Sequence, residues 1–249
     1  MILKPFSIKS FIDLSKSFDS WKVKFKSEIK KRIWRYALSI EYVDTGEKDV
    51  IDSIFDRLNR NGEPLTGQEL RNANYYNTEF LKCVEKNVEN PFWKKRLCVV
   101  DKARMEDIEF VSELFFFIAE GKEQTAFPKE MDTLYKRYTK PDALDLKQVQ
   151  QKFDTITNFL SDLNLDYELY RIGGISHLYG LFAFSAYCIK NQIATDDIVA
   201  ELNSFYVELR DRNFDNENVS QYKISMSART KSNYQRRKRK EALINFCKI

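Results

Sequence analysis

Apolar residues three or four positions apart recur through most of the chain, and this spacing constrains the fold more than any other feature. It places apolar side chains on one face of an α-helix, where they can pack against a neighbouring element. The longest stripes run through residues 146–163 and 175–189. Only 7 of the 249 residues are Gly and 5 are Pro, so few positions favour the turns that interrupt helices. The sequence therefore predicts a mainly α, multi-helix fold.

Residues 33–43 depart from this helical period. Apolar and polar side chains alternate from Trp34 to Tyr42, which predicts a half-buried strand. A single strand cannot pair its own backbone groups, and no comparable segment occurs elsewhere in the chain. We therefore expect a small N-terminal α+β remnant beside the helices, with a partner strand that is inconspicuous or belongs to another chain.

The composition excludes several kinds of site. His177 is the only histidine, so zinc centres with paired histidines and His-Asn-His nucleases are excluded. The four cysteines form no Cys-x-x-Cys pair, and no glycine-rich phosphate loop of a familiar kind occurs. We predict no metal site in this chain. No secretory signal is recognisable and the longest apolar run, Leu114 to Ala119, is too short to cross a bilayer, so we expect a cytoplasmic protein without a membrane partner.

Two sets of residues fit loosely the Asp…Glu-x-Lys pattern of metal-dependent nucleases. They are Asp19 with Glu28-Ile29-Lys30, and Asp107 with Glu120-Gly121-Lys122. Such a nuclease needs two carboxylates on one metal ion, normally placed on strands, whereas both sets lie in helical patterns. An autonomous metal-dependent nuclease or NTPase therefore stays an alternative function.

Positive charge is concentrated at the two ends of the chain. Residues 1–40 carry ten Lys and Arg against three acids, and residues 229–240 carry seven basic residues and no acid. Basic segments gain affinity for DNA by releasing counterions from its phosphates, although a charged run can equally be a solvated helix face. The candidate nucleic-acid-binding residues are Arg229, Lys231, Arg236, Arg237, Lys238, Arg239 and Lys240.

Residues 54–73 are predicted to form a helix, a tight turn and a second, capped helix. Thr66 and Glu69 have the spacing of a capping box, so the second helix should begin at about Gly67. The segment carries more polar side chains than a turn requires. A bound ligand would explain the excess, and local turn and cap bonds are the alternative.

This segment resembles the second signature of the GmrSD-type family, the N-terminal, S-type or ParB-like domain of modification-dependent restriction systems. The family pattern is Phe-x-Arg-Leu-Asn-x-x-Gly-x-x-Leu-x-x-x-Glu-Leu-Arg-Asn-Ala. The matching residues are Phe55, Arg57, Leu58, Asn59, Gly62, Leu65, Glu69, Leu70, Arg71, Asn72 and Ala73. The likeness extends through Arg104 to Asp107 and the basic C-terminal segment, and so covers most of the chain.

The chain resembles the C-terminal portion of the proteins of this family. Its members begin with a ParB-like region whose Asp-Gly-Gln-Gln-Arg motif handles nucleotide, and no Asp-Gly-Gln occurs here. The resemblance therefore implies that residues 1–90 are a remnant of that region and that residues 91–249 form a helical domain with a basic last helix. The residues it implies to face a nucleotide are Asn59, Gly62, Glu69, Arg71 and Asn72.

The function that we expect follows from this resemblance. The chain would be the noncatalytic helical part of a GmrSD-like restriction or phage-defence protein, associated with DNA. It would hold no cofactor by itself, whereas a nucleoside triphosphate and Mg²⁺ would bind with the missing region. A ParB-like chain or a His-Asn-His nuclease subunit would be its partner. The alternatives are the autonomous enzyme described above and a truncated, inactive relic.

Overall fold

The computed structural model describes residues 64–211 and 215–249, and also Trp34, Arg35, Glu47, Val50 and Ser53. The chain divides into two compact units, Met1–Pro64 and Leu65–Ile249. The helices of the second unit are α1 (Gly67–Tyr75), α2 (Glu79–Val88), α3 (Pro91–Arg96), α4 (Glu106–Glu120), α5 (Pro128–Tyr138), α6 (Leu146–Asp162), α7 (Ile175–Lys190), α8 (Val199–Arg210), α9 (Glu217–Ser225) and α10 (Asn233–Cys247). The described residues contain no strand, and the predicted mainly α fold is confirmed.

Local capping bonds begin the first three helices. The Thr66 hydroxyl accepts from the Glu69 amide at 3.2 Å and the Glu69 carboxylate accepts from the Thr66 amide at 2.6 Å, which confirms the predicted capping box. Thr78 caps α2 with one bond, in which its hydroxyl accepts from the Leu81 amide. Asn90 caps α3, which has a proline in its first turn.

Helix α4 lies at the centre of the unit and packs against α1, α2, α6 and α7. Its aromatic residues join these neighbours, since Phe116 stacks on Phe80 of α2 and Phe115 meets Phe153 of α6, with ring centroids 5.0 Å apart in both pairs. Such pairs add to the stabilisation that apolar burial provides. The aromatic run 115–117 is thus part of the core.

Helix α10 closes the C-terminal part of the unit by packing on α7, α8 and α9. The contact with α7 occurs at Gly180, where an added Cβ would lie 2.9 Å from Cδ of Arg239. A glycine in the middle of α7 therefore makes room for an arginine of α10.

The predictions for the N-terminal part fall mostly outside the described residues. Of the strand predicted at 33–43, only Trp34 and Arg35 are described, the first in a helical and the second in a turn conformation. The sequence places a domain boundary after residue 90, whereas the contacts divide the chain after Pro64. Helices α1 and α2, which precede residue 90, belong to the second unit because they pack on α4, which covers their apolar faces. Within the described residues, no helix combines the length and apolar character needed to cross a membrane.

Candidate functional site

Five motif residues were expected from the resemblance to face a nucleotide, and three of them, Glu69, Arg71 and Asn72, lie on α1. Asn59 and Gly62 lie outside the described residues. Glu69 caps α1 and approaches Arg104 at 3.2 Å. The hydrogen bond from the Thr66 backbone, with Arg104 nearby, holds the pKa of the Glu69 carboxyl below its ordinary value. This carboxylate therefore stabilises the start of the helix.

Arg71 is 4% exposed and its guanidinium is hydrogen-bonded to three side chains of the described residues. Its guanidinium donates to Glu109 of α4 at 2.7 Å, to Asp132 of α5 at 2.8 Å and to the Gln68 side chain at 3.0 Å. Gly67 leaves room for it, because an added Cβ would lie 3.1 Å from a terminal nitrogen of Arg71. Arg71 thus connects three helices and is out of reach of a ligand in this structure.

Asn72 belongs to a neighbouring buried group of neutral polar side chains. The Gln68 amide donates to Asn72 and to the Tyr135 hydroxyl, at 2.8 Å in each case. The Tyr135 hydroxyl lies 2.6 Å from that of Ser112 on α4. Buried polar groups are stable when each finds a partner, and these do so by joining α1, α4 and α5. Within the described part of the motif, the polar side chains of Gln68, Arg71 and Asn72 are therefore used inside the core.

The basic segment 229–240 is divided between the core and the surface. Arg236 is 3% exposed, donates to Glu113 of α4 and to the Gln124 carbonyl, and stacks on Tyr179 with its guanidinium carbon 3.8 Å from the ring centroid. Arg239 is 0% exposed and donates to the carbonyls of Ser176, Ser225 and Thr230. These two candidate residues cannot contact a nucleic acid in this fold. The spacing of Arg236 and Arg239 continues the buried stripe of Leu243 and Cys247, a signal that sequence reasoning missed.

The other five candidate cations lie nearer the surface. Lys231 pairs with Glu109 at 2.5 Å and Glu113 at 3.2 Å, and Lys240 pairs with Glu123 at 2.5 Å. Arg237 and Lys238 approach Glu241 at 3.6 and 3.4 Å, and both remain partly exposed. Arg229 is exposed and lies over the Phe127 ring.

The motif and the basic segment meet at two acids of α4, Glu109 and Glu113. Glu109 pairs with Arg71 and Lys231, while Glu113 pairs with Lys231 and Arg236. Burial opposes the charge of Lys231, but the carboxylates of Glu113 and Glu109 outweigh it and raise the pKa of the ammonium. Sequence reasoning missed both acids, although two carboxylates one turn apart within an apolar helix were the available signal.

A narrow crevice lies where the start of α7, the segment 226–232 and α10 meet. It is too narrow to hold a water molecule. The residues that line it are Glu113, Ile175, Ser176, Tyr179, Thr230, Lys231, Arg236 and Arg239.

His177 is held in a group of aromatic side chains. Its Nδ1 lies 2.9 Å from the Tyr222 hydroxyl and its ring stacks on that tyrosine. Burial, together with the positive charges of Arg210 and Arg239, lowers the pKa of His177 to about 4. The imidazole is therefore neutral near pH 7, and His177 is a hydrogen-bonded structural residue.

The structure separates one of the two nuclease-like sets. Asp107 and Glu120 lie at opposite ends of α4, about 20 Å apart at the rise of an α-helix. They cannot share one metal ion, so the loose fit of this set to the nuclease pattern does not correspond to a metal site. Asp19, Glu28 and Lys30 lie outside the described residues. Among the residues that the structure describes, no three His, Cys, Asp or Glu side chains are grouped to hold a metal ion.

Comparisons of the chain with protein-family models, with curated proteins and with solved structures give no match.

Proposed function

We propose that the chain is the noncatalytic helical part of a GmrSD-like restriction or phage-defence protein, which contacts DNA through α10 and is completed by a ParB-like nucleotide-binding region. The motif resemblance supports the family. The internal bonds of Glu69, Arg71 and Asn72 support a structural role for the motif, because their polar groups hold α1 against α4 and α5.

The observation that supports DNA contact is the outer surface of α10, formed by Tyr234, Arg237 and Lys238. The Tyr234 side chain is 54% exposed. The Arg237 guanidinium carbon and the Lys238 ammonium lie 5.9 and 6.0 Å from the centre of its ring. Cations bind backbone phosphates and an exposed aromatic ring can stack on a base, so this grouping suits DNA. Glu241 lies beside both cations, and a phosphate would compete with it.

The test is the salt dependence of duplex DNA binding, measured by fluorescence anisotropy with the full chain. The double change Arg237→Gln and Lys238→Gln should weaken binding and reduce the slope of log K against log salt by about 2, because two phosphate contacts are lost. The matched control is Lys147→Gln with Lys152→Gln, which removes two exposed cations of α6 and the same net charge.

Two results would contradict DNA contact through the outer surface of α10. One is the absence of DNA binding by the wild-type chain, and the other is an equal loss of DNA affinity in both double variants. Divalent-metal-dependent nicking of DNA by the purified chain would contradict the noncatalytic role. That second assay separates this function from an autonomous nuclease.

A further inference from the structure

Arg239 is a fully buried cation, and no acidic side chain of the described residues forms an ion pair with it. Its terminal nitrogens donate only to backbone carbonyls, those of Ser176 at 3.1 Å, Ser225 at 2.9 Å and Thr230 at 3.1 Å. Its Nε has no hydrogen-bond partner within the described part of the chain. Burying a charge without a counter-charge is costly, and buried arginines are normally paired. The surroundings of Arg239 therefore favour an anion.

The crevice beside Arg239 carries an excess of positive charge. Arg239, Arg236 and Lys231 line it, and Glu113 is the one acid of the lining. Glu113 is shared between Arg236 and Lys231, and Lys231 also pairs with Glu109, so Arg239 is the lining cation without an acidic partner among the described residues. The Nε of Arg236, a residue that is 3% exposed, also has no hydrogen-bond partner among the described groups. Two buried guanidinium groups that line the crevice thus each keep one donor, Nε, without a partner among the described residues.

The first turn of α7 lies on the same crevice. Ile175 and Ser176 begin this 16-residue helix and line the crevice, and no side chain caps the helix at Gly174. The first amides of a helix carry partial positive charge and favour an anion, and in α7 the His177 amide already donates to the Gly174 carbonyl at 2.9 Å. The space around Gly173 is open, since an added Cβ would meet no atom within 4 Å.

We propose that this crevice is an anion site that takes a phosphate group, bound by Arg239, Arg236 and the first turn of α7. A guanidinium presents several donors in a plane that matches phosphate oxygens, and Ser176 and Thr230 also line the crevice. The walls touch in this structure, so binding requires the segment 226–232 to move outward and to give up the bond from Arg239 to the Thr230 carbonyl and the ion pairs of Lys231. The ligand is free phosphate or the phosphate of a nucleotide.

This site is distinct from the proposed DNA surface. Arg236 and Arg239 are on the buried side of α10, whereas Tyr234 is exposed and Arg237 is on the surface. The two proposals can therefore fail separately.

The test is the binding of inorganic phosphate to the full chain, measured by calorimetry and by the increase in Tm, with chloride at equal ionic strength as the reference. The wild-type chain should bind phosphate saturably. Arg239→Lys keeps the charge but loses the planar fork, and Lys231→Gln removes a cation of the wall. Each should weaken phosphate binding about tenfold or more, as expected when a hydrogen bond to a charged group is lost.

Arg237→Gln is the matched control, because it removes a cation of the same helix outside the crevice. It should leave phosphate binding unchanged, and Arg239→Lys should leave DNA binding unchanged. Adenosine mono- and triphosphate distinguish the two sources: equal affinity indicates free phosphate, and tighter binding of either nucleotide indicates a nucleotide.

Two results would overturn the anion site. One is the absence of saturable binding by the wild-type chain, and the other is an equal loss of phosphate affinity in Arg237→Gln and Lys231→Gln. If Arg239→Lys does not fold, the wild-type, Lys231→Gln and Arg237→Gln measurements decide the question.

Discussion

Gly180 is the residue on which the contact between α7 and α10 depends. An added methyl group would lie 2.9 Å from Cδ and 3.2 Å from Cγ of the buried Arg239 side chain. We expect Gly180→Ala to lower the free energy of unfolding by about 1–3 kcal/mol, because the arginine must shift within a packed core. Urea denaturation measures the change. Gly173→Ala is the control, since a methyl group there meets no atom within 4 Å and should change stability by less than about 0.5 kcal/mol. Equal effects of the two substitutions would refute this account.

His177 gives a second prediction at the residue scale, which concerns how the stability of the fold depends on pH. Its pKa is about 4 in the folded chain, against the ordinary value of 6.5 that the unfolded chain retains. Between these values the unfolded chain binds a proton that the folded chain does not, so stability should fall as pH decreases from about 6.5 to about 4, by at most about 3 kcal/mol. As His177 is the only histidine, one imidazole resonance in a proton NMR titration reports its pKa directly. A midpoint near 6.5 would contradict the buried, neutral imidazole.

At the scale of elements, the pair of Glu113 and Arg236 connects α4 to α10. Both side chains are almost fully buried, at 1% and 3% exposure. Removing one partner leaves the other charge buried and uncompensated, so Glu113→Gln and Arg236→Met should each lower the free energy of unfolding by about 3–5 kcal/mol. The double variant should lose clearly less than the sum, which a double-mutant cycle by urea denaturation measures. Additive losses would show that the two residues act independently.

The helices themselves were predictable because their signals are local. Thr66 and Glu69 are three residues apart, and together they begin α1 at Gly67 as predicted. The apolar stripe from Val149 to Leu160 likewise predicts the buried face of α6. The contacts of Arg71 could not be predicted in this way, because Glu109 and Asp132 are 38 and 61 residues away along the chain. The candidate site therefore depended on packing rather than on any one motif.

For the whole molecule, the distribution of charge along the chain differs from its distribution in space. The basic segment 229–240 contains no acid, yet the fold brings Glu109, Glu113 and Glu123 from the middle of the chain against it. A large part of its charge is thus neutralised internally. The charge that remains is divided between the exposed cations beside Tyr234 and the buried guanidinium of Arg239.

The sequence by itself determined the helical class, the first residue of α1 and most of the apolar faces, because periodicity and capping act over a few neighbouring residues. Only the tertiary structure decided which cations of α10 are buried. Arg236 and Arg237 are adjacent and chemically identical, but they point to different sides of the helix, and α4 and α7 cover only one of those sides. Whether an arginine supports the core or is exposed to a ligand depends on that covering, which distant residues provide.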